Sequence, residues 1–291
     1  MDPYDLHVEL ARFGRERLEP SLPDQRTQRS GFALRQLELE FVAAEQAAVA
    51  PAASQAPDDP DGFVRWFEQL RESGPGQGDP LFPWLATGAS MPQMKWFLAQ
   101  EVAGEAGFDD LVALTQVKMP ERAKLELARN YWDEMGRGQA AGMHGPMLSD
   151  LARALGVRAD PATTVWEALA LANLLVALAL DRGYAFHSIG ALGAIELTAP
   201  GRVAQVDRGL SRLGVPKAAR RYFTLHATLD LRHSESWNRE ILRPLVAADR
   251  RVARAIAEGA LMRLRAGARC FERYRRVLQP AEPAQPIAVA P

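Results

Sequence analysis

One cysteine, Cys270, stands in a chain of 291 residues. A disulfide framework and a cysteine-built zinc site are therefore excluded, and a catalytic thiol has a single candidate. An excess of charge of one sign is also missing. Lys+Arg at 35 against Asp+Glu at 36 leaves a net charge of -1, so nothing in the balance points to nucleic acid or to an anionic membrane. No long hydrophobic run occurs. The most apolar stretch, 165–180, is interrupted by Glu167 and Asn173 and stopped by Asp181-Arg182. A membrane span needs about 20 apolar residues, so this stretch reads as a buried core helix. The opening MDPYDLHVEL is acidic and lacks the apolar segment of a signal peptide, and a soluble, cytoplasmic protein is expected. β-branched runs and hairpin turn signals are scarce as well, which removes strands from the expectation.

The chain contains 47% apolar and 24% charged residues, near globular averages, so wholesale disorder is excluded. Ala, Leu, Glu and Arg dominate, and the expected class is all-α. Helices are expected over 4–18 and 32–48, followed by a linker at 49–62 (VAPAASQAPDDPDG). Another helix is expected near 63–72, then a loop at 73–80 (SGPGQGDP). Ser90 and Gln93 form a capping-box pattern with Pro92 between them. Pro120 opens a helix reaching about Met135, and a glycine-rich break follows at 136–145. Asp160-Pro161 opens the central apolar segment. Further helices are expected over about 185–198, 202–213, 217–242 and 245–278. The expected organisation is an N-terminal helical extension and linker over 1–60, one helical bundle over 61–279, and a disordered tail over 280–291.

The informative residues are polar ones placed where leucine would be expected, because a buried carboxylate or imidazole is costly unless paired or metal-bound. His226, Asp230 and His233 recur at i, i+4, i+7 and share one helix face. Two imidazoles and a carboxylate on one face suit a first-row metal. A metal-free hydrogen-bonded network suits them equally. Glu101 lies at i+7 from Met94 and i+3 from Leu98, inside an apolar stripe, with Glu105 one turn on as its competitor. Glu134 stands at i+7 from Leu127 and i+3 from Tyr131. His144 follows it across the glycine-rich break, which lets both reach one point. Glu196 is the most anomalous carboxylate, since its segment carries no other charge. Four separate stretches thus offer inward ligands: Glu101, Glu134 with His144, Glu196, and His226 with Asp230 and His233. Carboxylate-rich dinuclear sites of this kind occur in helical bundles.

These elements resemble the haem-oxygenase-like diiron oxidases and oxygenases, which bind no haem. The carriers are FLAQE at 97–101, the Glu134-to-His144 interval, GAIE at 193–196 and HATLDLRH at 226–233. The resemblance covers about 80–245, with the bundle continuing to about 278. It implies a bundle of about seven core helices, two iron ions held by Glu101, Glu134, His144, Glu196, His226, Asp230 and His233, and O2 as co-substrate. Six-ligand members cleave C–C bonds, desaturate or decarboxylate. Members with one more carboxylate oxygenate amine nitrogen through a peroxo-diferric species. Glu134 resembles that extra carboxylate, so the resemblance implies N-oxygenation of an amino-acid-derived amine, with an external electron donor. Manganese in one position fits the ligand types as well.

Other readings fare less well. GRGQAAGMHG lacks the spacing and the preceding strand of a dinucleotide loop. The arginine-rich final helix reads as a solvated face, and a homodimer contact on it stays open. A thiaminase-type reaction would need a core cysteine, and Cys270 has no histidine near it in sequence. His7 is the only early histidine for haem, in a polar segment. His187, nine residues from Glu196, reads as structural or as lining a substrate pocket, with the structural reading favoured, and Glu240 as paired with Arg239 or Arg243. Arg137, Arg182 and Arg232 are the candidate clamps for a substrate carboxylate. A non-catalytic helical partner protein is the alternative of another class.

Overall fold

The computed structural model describes residues 1–22, 25–104 and 107–278, the side chains of residues 25–30 and 228 excepted. Glu105 and the tail from residue 279 lie outside the described residues. The regular elements are helices: α1 (Pro3–Leu18), α2 (Gln25–Ala53), α3 (Pro60–Ser73), α4 (Leu81–Thr87), α5 (Met91–Gly104), α6 (Phe108–Thr115), α7 (Glu121–Glu134), α8 (His144–Leu155), α9 (Trp166–Leu180), α10 (Ala185–Arg212), α11 (Arg221–Trp237), α12 (Arg243–Ala248) and α13 (Val252–Leu278). Several starts follow directly from local chemistry. Asp59 accepts from Gly62 N–H at 2.8 Å ahead of Pro60, which satisfies one of the free amides of the first turn. Gln93 reaches back to the Ser90 amide at 2.9 Å, forming half of the expected capping box.

The core is organised around α10, which packs against α13, α11 and α4. Two glycines make its crossing with α13 close. A Cβ on Gly190 would meet the Ile256 carbonyl at 1.9 Å, and one on Gly259 would meet the His187 carbonyl at 1.9 Å. The apolar stretch forms α9, buried on all sides from Ala168 to Ala179. Each fully buried leucine there contributes about 1.5–3 kcal/mol. α9 meets the following helix at 98°, and no single helix among the described residues is long and apolar enough to cross a membrane. Helix α1 lies against α9, and α2 lies against α13.

Four expected boundaries differ. The linker begins after Ala53, because the alanine-rich run before it carries α2 onward and Pro51, in its last turn, removes a single N–H. Residues 185–212 form one helix, not two. Pro200 lacks only the donor to the Glu196 carbonyl, and buried packing around it keeps the axis continuous. The expected helix over 217–242 is α11 followed by a π-helical turn at Asn238–Leu242, and the expected final helix is α12 and α13.

Candidate metal centre

Helices α7, α8, α10 and α11 bring their polar residues to one buried place. Glu134 is 3% exposed, His144 4% and Glu196 2%. The glycine-rich break between Glu134 and His144 is a closed loop. Met135 and Met143 form an antiparallel bridge across its neck, so the two neighbouring ligand-type residues start from adjacent backbone. Gly136, with φ 60°, cannot be replaced freely, since a Cβ there would fall 2.3 Å from the Gly142 backbone. Arg221 ties the loop to α11 by donating to the Ala141 carbonyl at 3.0 Å.

Two groups of ligand atoms result. Glu134, His144 and His226 form one, and Glu134, Glu196 and His233 form the other. Within each group one atom per residue lies within 4.8 Å of the others. Glu134 belongs to both. Its Oε2 is 2.5 Å from His144 Nδ1 and 3.9 Å from His226 Nε2. Glu196 Oε1 is 3.4 Å from His233 Nδ1. Asp230, one turn from His226, is buried beside them. Glu101 lines the same cavity but belongs to neither group. Tyr274 stands by its carboxylate instead, with the Arg263 and Arg202 charges acting on it through space.

A second layer of partners fixes these side chains. The His226 Nδ1 lies 2.9 Å from the Tyr222 carbonyl, and donation there leaves Nε2 facing Glu134. His233 Nε2 lies 3.3 Å from Asp133 Oδ2 and turns Nδ1 toward Glu196. Asn130 donates to Glu196 Oε1 at 2.6 Å. Such outer contacts orient metal-binding imidazoles and carboxylates.

The cluster fits a metal better than it fits its own hydrogen bonds. His144 Nδ1, His233 Nδ1 and Asp230 Oδ1 are buried without a hydrogen-bond partner among the described residues. His144 Nδ1 is close to Glu134, yet not in hydrogen-bond geometry. Lone pairs that converge on a point, without pointing at donors, are what a cation requires. The electrostatics agree. Burial should lower both imidazoles, but Glu134 and Asp230 push His226 up to about 10, and Glu196 and Asp133 push His233 up to about 9. Burial and the nearby Glu196 raise Asp230 to about 8. Burial alone would raise Glu134 too, but the imidazoles of His144 and His226 hold it at about 2. Protons thus supply the positive charge that the anionic cluster needs.

A cavity of about 120 Å³ adjoins the cluster. Glu101, Glu134, Glu196, His226 and Asp230 reach its wall, with Leu171, Leu175, Ile195 and Val203 as apolar lining and Arg263 and Tyr274 from α13. The three arginines expected as clamps are elsewhere. Arg137 is exposed and pairs with Asp133 at 2.6 Å, Arg182 donates to the Leu114 carbonyl at 3.1 Å, and Arg232 is exposed. Arg263 was hidden among the many arginines of its helix. Its signal is positional: Ile256, Ala260, Gly267, Cys270 and Tyr274 are buried at alternating spacings of three and four, and residue 263 falls inside that stripe. Asn130 and Asp133 carried no comparable signal.

Cys270, in the arginine-rich helix, is in the core. Burial pushes its thiol up to about 12, which leaves almost no thiolate for nucleophilic attack. His187 is structural, with Nε2 3.2 Å from Glu258. His7, in its polar segment, turns its ring inward and is buried between Phe41 and Trp166. Glu240 pairs with Arg239 and with Arg122, each at 2.7 Å.

A family model described as iron-containing redox enzyme matches residues 95–268, a span that includes all seven expected ligands. The chain belongs to this family. Iron is thus the implied metal of the cluster. No curated protein matches the chain. Among solved structures, a CADD-like protein of unknown function from Nostoc punctiforme is similar with a TM-score of 0.59 and 20% identity, over 75% of this chain and 98% of that one. A domain of unknown function with a haem-oxygenase-like fold from Shewanella denitrificans is similar with a TM-score of 0.51 and 13% identity, over 69% of this chain and 86% of that one. At these identities the likeness establishes the haem-oxygenase-like fold.

Proposed function

We propose that this iron-containing redox enzyme is a non-haem diiron oxygenase that transfers oxygen to the amine nitrogen of a small, amino-acid-derived substrate. The observation that carries the reading is Glu134. It is common to both ligand groups, as a carboxylate between two metal ions would be. Glu134, His144 and His226 would hold one iron, and Glu134, Glu196 and His233 the other, with Asp230 and Glu101 completing the set. The chemistry such a pair supplies when bound is O2 activation, with an external donor returning the electrons.

The chain's own residues set the conditions. Asp133, Asn130 and the Tyr222 carbonyl hold His233, Glu196 and His226 in orientation. Leu171, Leu175 and Ile195 give the cavity an apolar side, and metal cations held by Glu134, Glu196 and Asp230 would offset the carboxylates and disfavour an ammonium, so a bound amine would keep its nitrogen lone pair. The carboxylate ten residues before His144 favours N-oxygenation over C–C cleavage, on the family resemblance.

The test is iron-loaded protein given a reductant, 18O2 and a panel of amino acids and their amines. A product gaining one labelled oxygen on nitrogen is expected. Loss of CO2 or a C=C bond without incorporated label would replace the reading with oxidative cleavage or desaturation. No O2 consumption with two irons bound would remove the oxygenase reading altogether.

A further inference from the structure

A second cavity, of about 330 Å³, lies on the other side of the α10 wall from the metal cluster. Around Pro200 the helix serves both: Ala199 and Val203 face the inner cavity, whereas Thr198, Arg202 and Gln205 line the outer one. Arg202 is the unusual residue. Its guanidinium stacks over Phe82 and Phe271, 5.9 and 5.4 Å from the ring centroids. It donates to Thr198 Oγ1 at 3.0 Å and makes no ion pair among the described residues. Arg263 repels it through space and Glu101 attracts it. Asp79 is the one carboxylate among the described lining residues, and it is already bound by Arg275.

Arg202 is half-buried, and a guanidinium with five donors and one hydroxyl partner has donors left for an anion in the cavity. We propose that the second cavity is a binding site for a small organic monocarboxylate, anchored by Arg202. Arg71 adds a second cation at the rim and Gln205 an amide. Phe82 and Leu231, the latter 45% exposed, offer the apolar surface that the body of such an acid would cover. A phosphate dianion fits less well, because the apolar part of the wall opposes a compact double charge. A planar carboxylate matches one guanidinium fork. The site stands independently of the metal reading.

The test is calorimetric titration of the full-length protein with hexanoate, as purified and again after chelator treatment, with phosphate and hexylamine as controls. Saturable one-to-one binding of hexanoate in both forms is expected, with phosphate at least about tenfold weaker and hexylamine silent. Arg202→Gln should weaken hexanoate by at least about tenfold, and Arg202→Lys by less, because the fork is lost but the charge kept. Arg202 packs on two rings, so a second variant guards against misfolding. A Cβ at Gly201 meets no atom within 4 Å, and Gly201→Leu should fill the cavity mouth and weaken binding with an unchanged circular dichroism spectrum. Three results would each overturn the site: no binding to the wild type, binding lost on chelation (which places the acid at the metal), or unaltered affinity in folded Gly201→Leu. Phosphate binding as tightly as hexanoate would overturn the carboxylate assignment.

Discussion

Two buried regions of this bundle pair imidazole with carboxylate, and they are built to opposite ends. Where α2, α10 and α13 meet, His187 Nε2 faces Glu258 Oε2 at 3.2 Å, and that carboxylate also takes Gln46 at 2.6 Å and Arg254 at 2.8 Å. The negative charge is answered within the protein. Around Glu134 three ligand-type atoms lack partners among the described residues, and one carboxylate is common to two groups. The titration behaviour separates them too. Burial lowers His187 even with Glu258 beside it, whereas the anionic neighbours of His226 and His233 override burial and raise both. At Glu258 the carboxylate is answered within the protein, although His187 Nδ1 too lacks a partner among the described residues. Around Glu134 several such atoms converge, which leaves the completion to a cation.

The largest expected effect breaks the metal side alone. Glu134→Ala should reduce bound iron from two per chain to one or none and lower turnover by at least about a hundredfold, while the fold persists. Glu258→Ala should do the converse: iron content unchanged by elemental analysis, stability reduced by about 1–3 kcal/mol in urea, because His187 and Gln46 lose a buried acceptor. Equal iron loss in both variants would erase the distinction.

Next comes the support of His233. Asp133→Asn should weaken the second iron by about 10–100-fold and leave the first nearly unchanged, read by ferrous titration and by the Mössbauer signature of each site. A uniform loss at both sites would make Asp133 a general structural residue.

The smallest effect, and the one that sharpens the comparison most, is pH. In the metal-free protein His226, His233 and Asp230 are protonated at higher pH than in the unfolded chain. The folded state therefore binds more protons, and metal-free stability should fall as pH rises through about 8–10. His187 has the opposite sign, lowered in the fold, so its contribution weakens below the unfolded histidine range of about 6.5. Melting curves at pH 6–10 should show metal-free protein losing several degrees and iron-loaded protein holding steady. Identical slopes would show that protons and iron do not compete for the cluster.

The helical class and much of the cluster were legible because they depend on one helix at a time. His226, Asp230 and His233 share a face by spacing alone, and Glu196 stood out as a charge in an apolar run. What needed the fold was the register between helices. Asp133 and Asn130 matter only because α7 lies beside α10 and α11. Arg263 reaches the cavity because Gly190 and Gly259 let α13 approach α10 closely. Arg137, Arg182 and Arg232 looked equivalent to it as residues, and only packing separates them. Pro51 and Pro200 misled for the converse reason, since the packed helix tolerates a lost hydrogen bond that an isolated one would not.

The most direct test of the shared-carboxylate account is an anaerobic ferrous titration of wild-type and Glu134→Ala protein side by side. The account predicts two irons per wild-type chain and impairment of both sites by the single substitution. Two irons bound by Glu134→Ala with unchanged affinity would contradict it.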